Sequence, residues 1–156
     1  LEFARRHGTL SGCLQLRALS RLSEVLFDLS GSLDFEVSGE TAGGNAFLAL
    51  KLEGPLRLIC QRCLGALEFA LSVRSRVMLI EPESPWPDDS QVGGLEDEAC
   101  DAIEALRELD ITPLLEEEIL LALPIAPRHD RCEQPAAAVA SKEASPFAQL
   151  ARLKHN

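Results

Sequence analysis

Hydrophobic and polar positions alternate with a period of two through most of residues 10–80. Leu14 and Leu16 begin the pattern; Val25, Phe27 and Leu29 repeat it, as do Leu33, Phe35 and Val37. Further runs follow at residues 47–52, at Leu56, Leu58 and Cys60, and from Leu67, Phe69, Leu71 and Val73 on to Val77 and Leu79. A period of two sends every second side chain to one face, the mark of a half-buried strand. Gly31, Gly39, Gly43, Gly44, Gly54 and Gly65 punctuate the runs. Connections this short favour antiparallel neighbours, because parallel strands need a long crossover. The pattern predicts an antiparallel sheet of about five or six strands, curved or barrel-like. Leu19 to Val25 is compatible with a short helical turn instead.

Past residue 108 the period lengthens. Ile111, Leu115, Ile119 and Ala122 share one helical face, which Leu114 and Leu121 widen. Asp110 or Thr112 can cap the N-terminus, and Pro113 suits the first turn. Glu116, Glu117 and Glu118 lie early enough to favour the positive end of the helix dipole, and Pro124 stops the helix. This predicts a helix over 110–123 that covers the sheet. Residues 134–144, around Pro135 and its alanines, read as a linker. Ser145-Pro146 opens a short terminal helix with Phe147, Leu150 and Leu153 on one side. That side either docks on a partner or packs back onto the sheet. The expected class is therefore α+β: a curved antiparallel sheet or partial barrel, one long helix packed on it, and a short C-terminal helix. The expected division is a single domain over 1–133, a linker over 134–144 and a short helix over 145–156.

Composition refines this picture. At 46% hydrophobic but only 4% aromatic, the core must be built mostly from Leu, Val, Ile and Ala. No apolar run approaches the roughly 20 residues of a membrane helix. Arg5 and Arg6 are followed by polar residues rather than by the apolar stretch of a signal peptide. The expected compartment is the cytoplasm. The net charge of −10 is unevenly spread: fourteen of the 25 acids fall between Glu81 and Glu118, where Arg107 is the lone base. The other eleven acids face fourteen bases, so the rest of the chain is weakly positive and can touch phosphate. Within the acidic loop of 81–108, prolines and paired glycines predict a mobile front half, and Asp97 to Leu109 carries a weak helical pattern.

Five cysteines, an odd number, argue against a secreted disulfide framework. Cys60-Gln61-Arg62-Cys63 sits between two strand patterns, so it lies in a turn, and two thiolates in a tight turn can grip one metal ion. His129-Asp130-Arg131-Cys132 offers a second pair that would complete a Cys3His set for structural zinc. Two other readings stay open: buried or free thiols with an ordinary loop histidine, and a redox pair, which would want its first Cys at a helix N-terminus. Cys13 and Cys100 lack such partners and read as ordinary thiols. There is no phosphate-binding glycine loop, nucleophile elbow or metalloprotease His pair. The chain is expected not to be an enzyme and to have no small-molecule substrate.

Together these segments resemble the YceD-like family of large ribosomal RNA accumulation proteins. Three blocks carry the resemblance: Cys60 to Leu64, the run from Leu109 to Pro124 followed by His129 and Cys132, and the ending from Ser145 to Lys154. The opening Phe3-Ala4-Arg5 with Gly8 is also similar. The final block begins Ser-Pro where the family pattern has Asn-Pro, and both Ser and Asn cap helices. The resemblance implies a non-catalytic factor for accumulation of large-subunit ribosomal RNA, with ribosomal RNA, a large-subunit ribosomal protein, or both as partners. A zinc-stabilised protein-interaction module without an RNA role, and a thiol enzyme, are the alternatives.

Overall fold

The computed structural model describes residues 1–86 and 100–132. Five strands form one sheet in the order β1 (Thr9–Gln15), β2 (Ser32–Ala42), β3 (Asn45–Ile59), β4 (Ala66–Ile80) and β5 (Asp101–Glu104). The first four are antiparallel neighbours in chain order, as short connections require. β5 pairs with β4 in parallel. The sheet is thus mixed and open rather than purely antiparallel or closed into a barrel. The weak helical pattern expected over 97–109 gives way at 101–104 to this edge strand. Ile103 lies opposite Leu79 and adds to the core at the sheet edge.

The alternation seen in the sequence sets the burial. Leu33 and Val37 on β2 are buried, as are Leu48, Leu50 and Leu52 on β3 and Leu71, Val73 and Val77 on β4; all belong to one core. Two expected strands, 47–52 and 56–60, are a single strand of 15 residues. Gly54 joins them with φ of 154°, and a Cβ there would stand 2.8 Å from Leu33 Cδ2. The Val25–Leu29 pattern does not make a strand. Residues 16–18 and 21–24 are 3-10 turns, and only Leu26 bridges to Leu58.

The core face of the sheet is covered by α1 (Glu2–Arg5), the 3-10 turns and α2 (Ile111–Ala122). α2 has 12 residues, an ordinary length rather than a long one. Asp110 caps it by accepting from the Thr112 N–H at 2.9 Å, and Leu123, extended before Pro124, ends it. Its first turn holds no acid, so Glu116 to Glu118 do not act on the helix dipole. The buried face is Leu115, Glu116 and Ile119; Leu121 points to solvent. The linker of 134–144, the helix of 145–156 and most of the acidic loop lie outside the described residues.

α1 rests on β2 only because residue 39 is glycine. A Cβ at Gly39 would lie 2.6 Å from both Ala4 Cα and Phe3 O, backbone atoms that cannot swing aside. Gly39→Ala is therefore expected to cost about 1–3 kcal/mol. Thermal melting should show the loss, and hydrogen exchange should show it concentrated at the Arg5 and Arg6 amides. A variant that melts like the parent would refute the contact.

Candidate metal centre

β3 and β4 form the longest hairpin in the described sheet, and its turn is Cys60 to Gly65. The Cys60 N–H donates to Gly65 O at 2.9 Å and the Leu64 N–H to Cys60 O at 2.8 Å. Within this loop Leu64 adopts φ of 59°, a left-handed conformation uncommon for a residue with a side chain. The strand-turn-strand setting differs from that of redox pairs, whose first cysteine begins a helix.

α2 runs along the sheet and ends at Ala122, and Pro124 turns the chain back toward the hairpin. The Gln61 N–H donates to Pro127 O at 2.8 Å, joining the two loops backbone to backbone. His129 and Cys132 then face Cys60 and Cys63. Cys60 Sγ lies 3.7 Å from Cys132 Sγ, and His129 Nδ1 lies 3.4 Å from Cys63 Sγ and 3.9 Å from Cys132 Sγ. All four donor atoms fall within 4.8 Å of one another. A tetrahedral ion with bonds of about 2.3 Å to sulfur and 2.0 Å to nitrogen spaces its donors about 3.5–3.8 Å apart. The 3.7 Å sulfur–sulfur spacing falls in that range and the two sulfur–nitrogen spacings lie within about 0.4 Å of the ideal, so the four residues could hold one metal ion.

Electrostatics favour the same conclusion. Burial pushes the Cys60 thiol up, but the N–H groups of Cys63, Arg62 and His129 donate to its sulfur and bring it down to about 5. Burial, and then the neighbouring Cys60 and Cys63 sulfurs, push the Cys132 thiol up. These opposite shifts favour a proton on Cys132 shared with the Cys60 sulfur 3.7 Å away. A cation would displace that proton. His129 is already oriented as a ligand. Its Nε2–H donates to Ala66 O at 3.0 Å, leaving the Nδ1 lone pair aimed at the sulfurs. Such a carbonyl partner fixes tautomer and ring angle in metal-binding histidines.

All four residues singled out in the sequence are therefore brought together, although 66 residues separate Cys63 from His129. Sequence reasoning did not find the Ala66 carbonyl or the Gln61–Pro127 hydrogen bond, since backbone partners leave no compositional trace. Cys100 and Cys13 lie elsewhere. Cys100 packs with Phe47 and Met78 and donates to Arg76 O at 3.0 Å, while Cys13 is exposed on β1.

An open mixed sheet covered by α1, the 3-10 turns and α2, with a Cys3His cluster joining its longest hairpin to the segment after α2, defines an α+β protein with a site that could hold a metal ion. No described helix is long and apolar enough to cross a membrane. Residues 48–154 match the family described as large ribosomal RNA subunit accumulation protein YceD, and the chain belongs to that family. The matched region starts within β3 and includes all four cluster residues. Searches of curated proteins and of solved structures gave no significant match.

Proposed function

We propose that this protein is a cytoplasmic, non-catalytic factor that supports accumulation of large-subunit ribosomal RNA and assembly of the large ribosomal subunit. Its partners are ribosomal RNA, a large-subunit ribosomal protein, or both. The observation that carries this reading is the family match over residues 48–154, which includes the two ends of the Cys/His cluster. The cluster supports a structural zinc ion held by Cys60, Cys63, His129 and Cys132. Three sulfurs and one imidazole suit zinc's borderline softness, and four protein donors fill a tetrahedron. A catalytic zinc keeps a position for water or substrate, usually with three protein ligands. Zinc bound here would supply a cross-link rather than a reactive centre.

A second reading is a zinc-stabilised protein-interaction module with no RNA role. The net charge of −10 favours it, because a strongly acidic chain repels phosphate. One experiment separates the two. Depletion of the protein should lower large-subunit relative to small-subunit ribosomal RNA, and affinity capture should recover large-subunit RNA or ribosomal protein. An unchanged RNA ratio together with capture of unrelated proteins would favour the interaction module.

A further inference from the structure

The bases of this protein divide into two groups. Among the described residues, Arg5, Arg6, Arg21, Lys51, Arg57 and Arg76 each pair with a carboxylate. Arg17, Arg62, Arg74, Arg107, Arg128 and Arg131 pair with none. Three of these six belong to the two loops of the metal centre. Arg62 stands between Cys60 and Cys63, Arg128 precedes His129, and Arg131 stands between His129 and Cys132. All three are exposed. The Gln61–Pro127 hydrogen bond sits one residue before Arg62 and one before Arg128, so it holds their backbones side by side.

We propose that Arg62, Arg128 and Arg131, exposed on the two loops that carry the Cys/His cluster, form a binding surface for the phosphate backbone of RNA. This rests on the reading that the protein acts on ribosomal RNA, and it names the part of the chain that would touch it. In a protein with 25 acids, surface arginines are expected to find carboxylates, and half of the described bases do. A group of three that finds none, on two loops joined by a backbone hydrogen bond, is arranged for an external anion. Guanidinium groups suit phosphate because their forked donors match its oxygens in pairs. Neutralising the metal centre is the competing use, since three thiolates with a divalent ion leave one negative charge. Guanidiniums serving that end would donate to the sulfurs, and none of the three makes such a bond. Asp130 is the one acid between Pro124 and Cys132, and it is exposed and unpaired. Phosphate contacts position a protein on RNA without reading its sequence, so this surface supplies affinity and leaves choice of RNA to other groups.

The test compares zinc-loaded full-length parent with an Arg62→Ala/Arg128→Ala/Arg131→Ala variant. Binding to labelled poly(U) and to a large-subunit ribosomal RNA transcript is followed by anisotropy across a salt series, with zinc content and melting temperature measured on each protein. Each lost phosphate contact removes about 0.7 from the slope of log affinity against log salt on single strands, so the slope should fall by about 2. Affinity at low salt should drop at least about tenfold, with zinc content unchanged. An Arg17→Ala/Arg107→Ala control should keep the parent slope. The triple Arg→Lys variant keeps the charge and should retain most of the binding. If the parent binds RNA and the alanine variant binds with the same slope, this surface is wrong while the RNA reading stands. If the alanine variant loses zinc and the lysine variant does too, the arginines serve the centre and the proposal fails. If the parent binds neither RNA, or the variant loses only a ribosomal protein in capture, the surface is not an RNA site.

Discussion

Removing the metal, or replacing Cys60 with alanine, is expected to lower the melting temperature by roughly 15 °C or more, the largest effect of any single change outside the apolar core. The parent should carry about one zinc per chain, as a closed four-donor centre requires. Two parts of the chain would depend on such a cross-link. The Cys60–Gly65 turn has a Leu at positive φ, and Pro124–Cys132 has few apolar side chains to anchor it. Ile125 in that segment is fully exposed. Without the ion, the Gln61–Pro127 bond is the main backbone tie between them. The pH dependence follows from the thiols. Cys60 is depressed in the folded chain to about 5, against an unfolded value of about 8.5. Its contribution is therefore present above the unfolded value and fades as pH falls through about 5. Metal binding shares this sign, because it needs the thiolates, so acid should release zinc and destabilise together. Calorimetry with and without a chelator, over a pH series, measures both. Metal-free native protein, or a Cys60→Ala variant that melts like the parent, would remove the centre from the account.

Glu116→Ala is expected to cost about 2–4 kcal/mol, a fall in melting temperature of roughly 6–15 °C. Glu116 is the one buried charged residue among those described, at 6% exposure. Its Oε1 accepts the backbone N–H of Arg21 at 2.7 Å and of Leu22 at 3.3 Å. These amides open the 3-10 turn of Arg21–Glu24, where Ser20 gives no side-chain cap. A carboxylate from the middle of α2 thus caps a turn some 95 residues earlier. Truncation strands two amides in a dry contact, and an unmade buried hydrogen bond costs more than a made one contributes. Glu116→Gln keeps an acceptor oxygen and should lose less. Glu117→Ala removes the neighbouring, half-exposed ion pair with Arg21 and should change little. Equal melting shifts for Glu116→Ala and Glu117→Ala would contradict the capping role.

Glu116 also shows where the sequence stops being legible. A run of three glutamates reads as a solvated face, and nothing in its spacing marks the first as buried. That assignment depends on which turn α2 meets, a tertiary fact. The same limit hid β5. Residues 101–104 are too short and too acidic to register as a strand, and they pair only because the edge of β4 is open to them. Long-range alternation was readable, since burying one face of a sheet imposes it residue by residue. It gave β3 and β4 nearly in full and the first half of β2, though not the fusion of two runs into one strand at Gly54. The four centre residues were readable for a different reason. Thiols and imidazole are sparse in this chain, and pairs of them at tight spacing have few other uses.

The distance along the chain between the two halves of the centre also bears on how the protein is made. Cys63, the later of the two turn cysteines, leaves the ribosome 66 residues ahead of His129. At about 5–20 residues per second, that is a delay of roughly 3–13 s. The contacts of the β3–β4 hairpin are local and form on a microsecond timescale, so each new chain passes through an interval in which the two thiols of its turn await their partners. During that interval the exposed pair can take up a wrong metal or be oxidised, and the arrival of His129 and Cys132 ends the exposure.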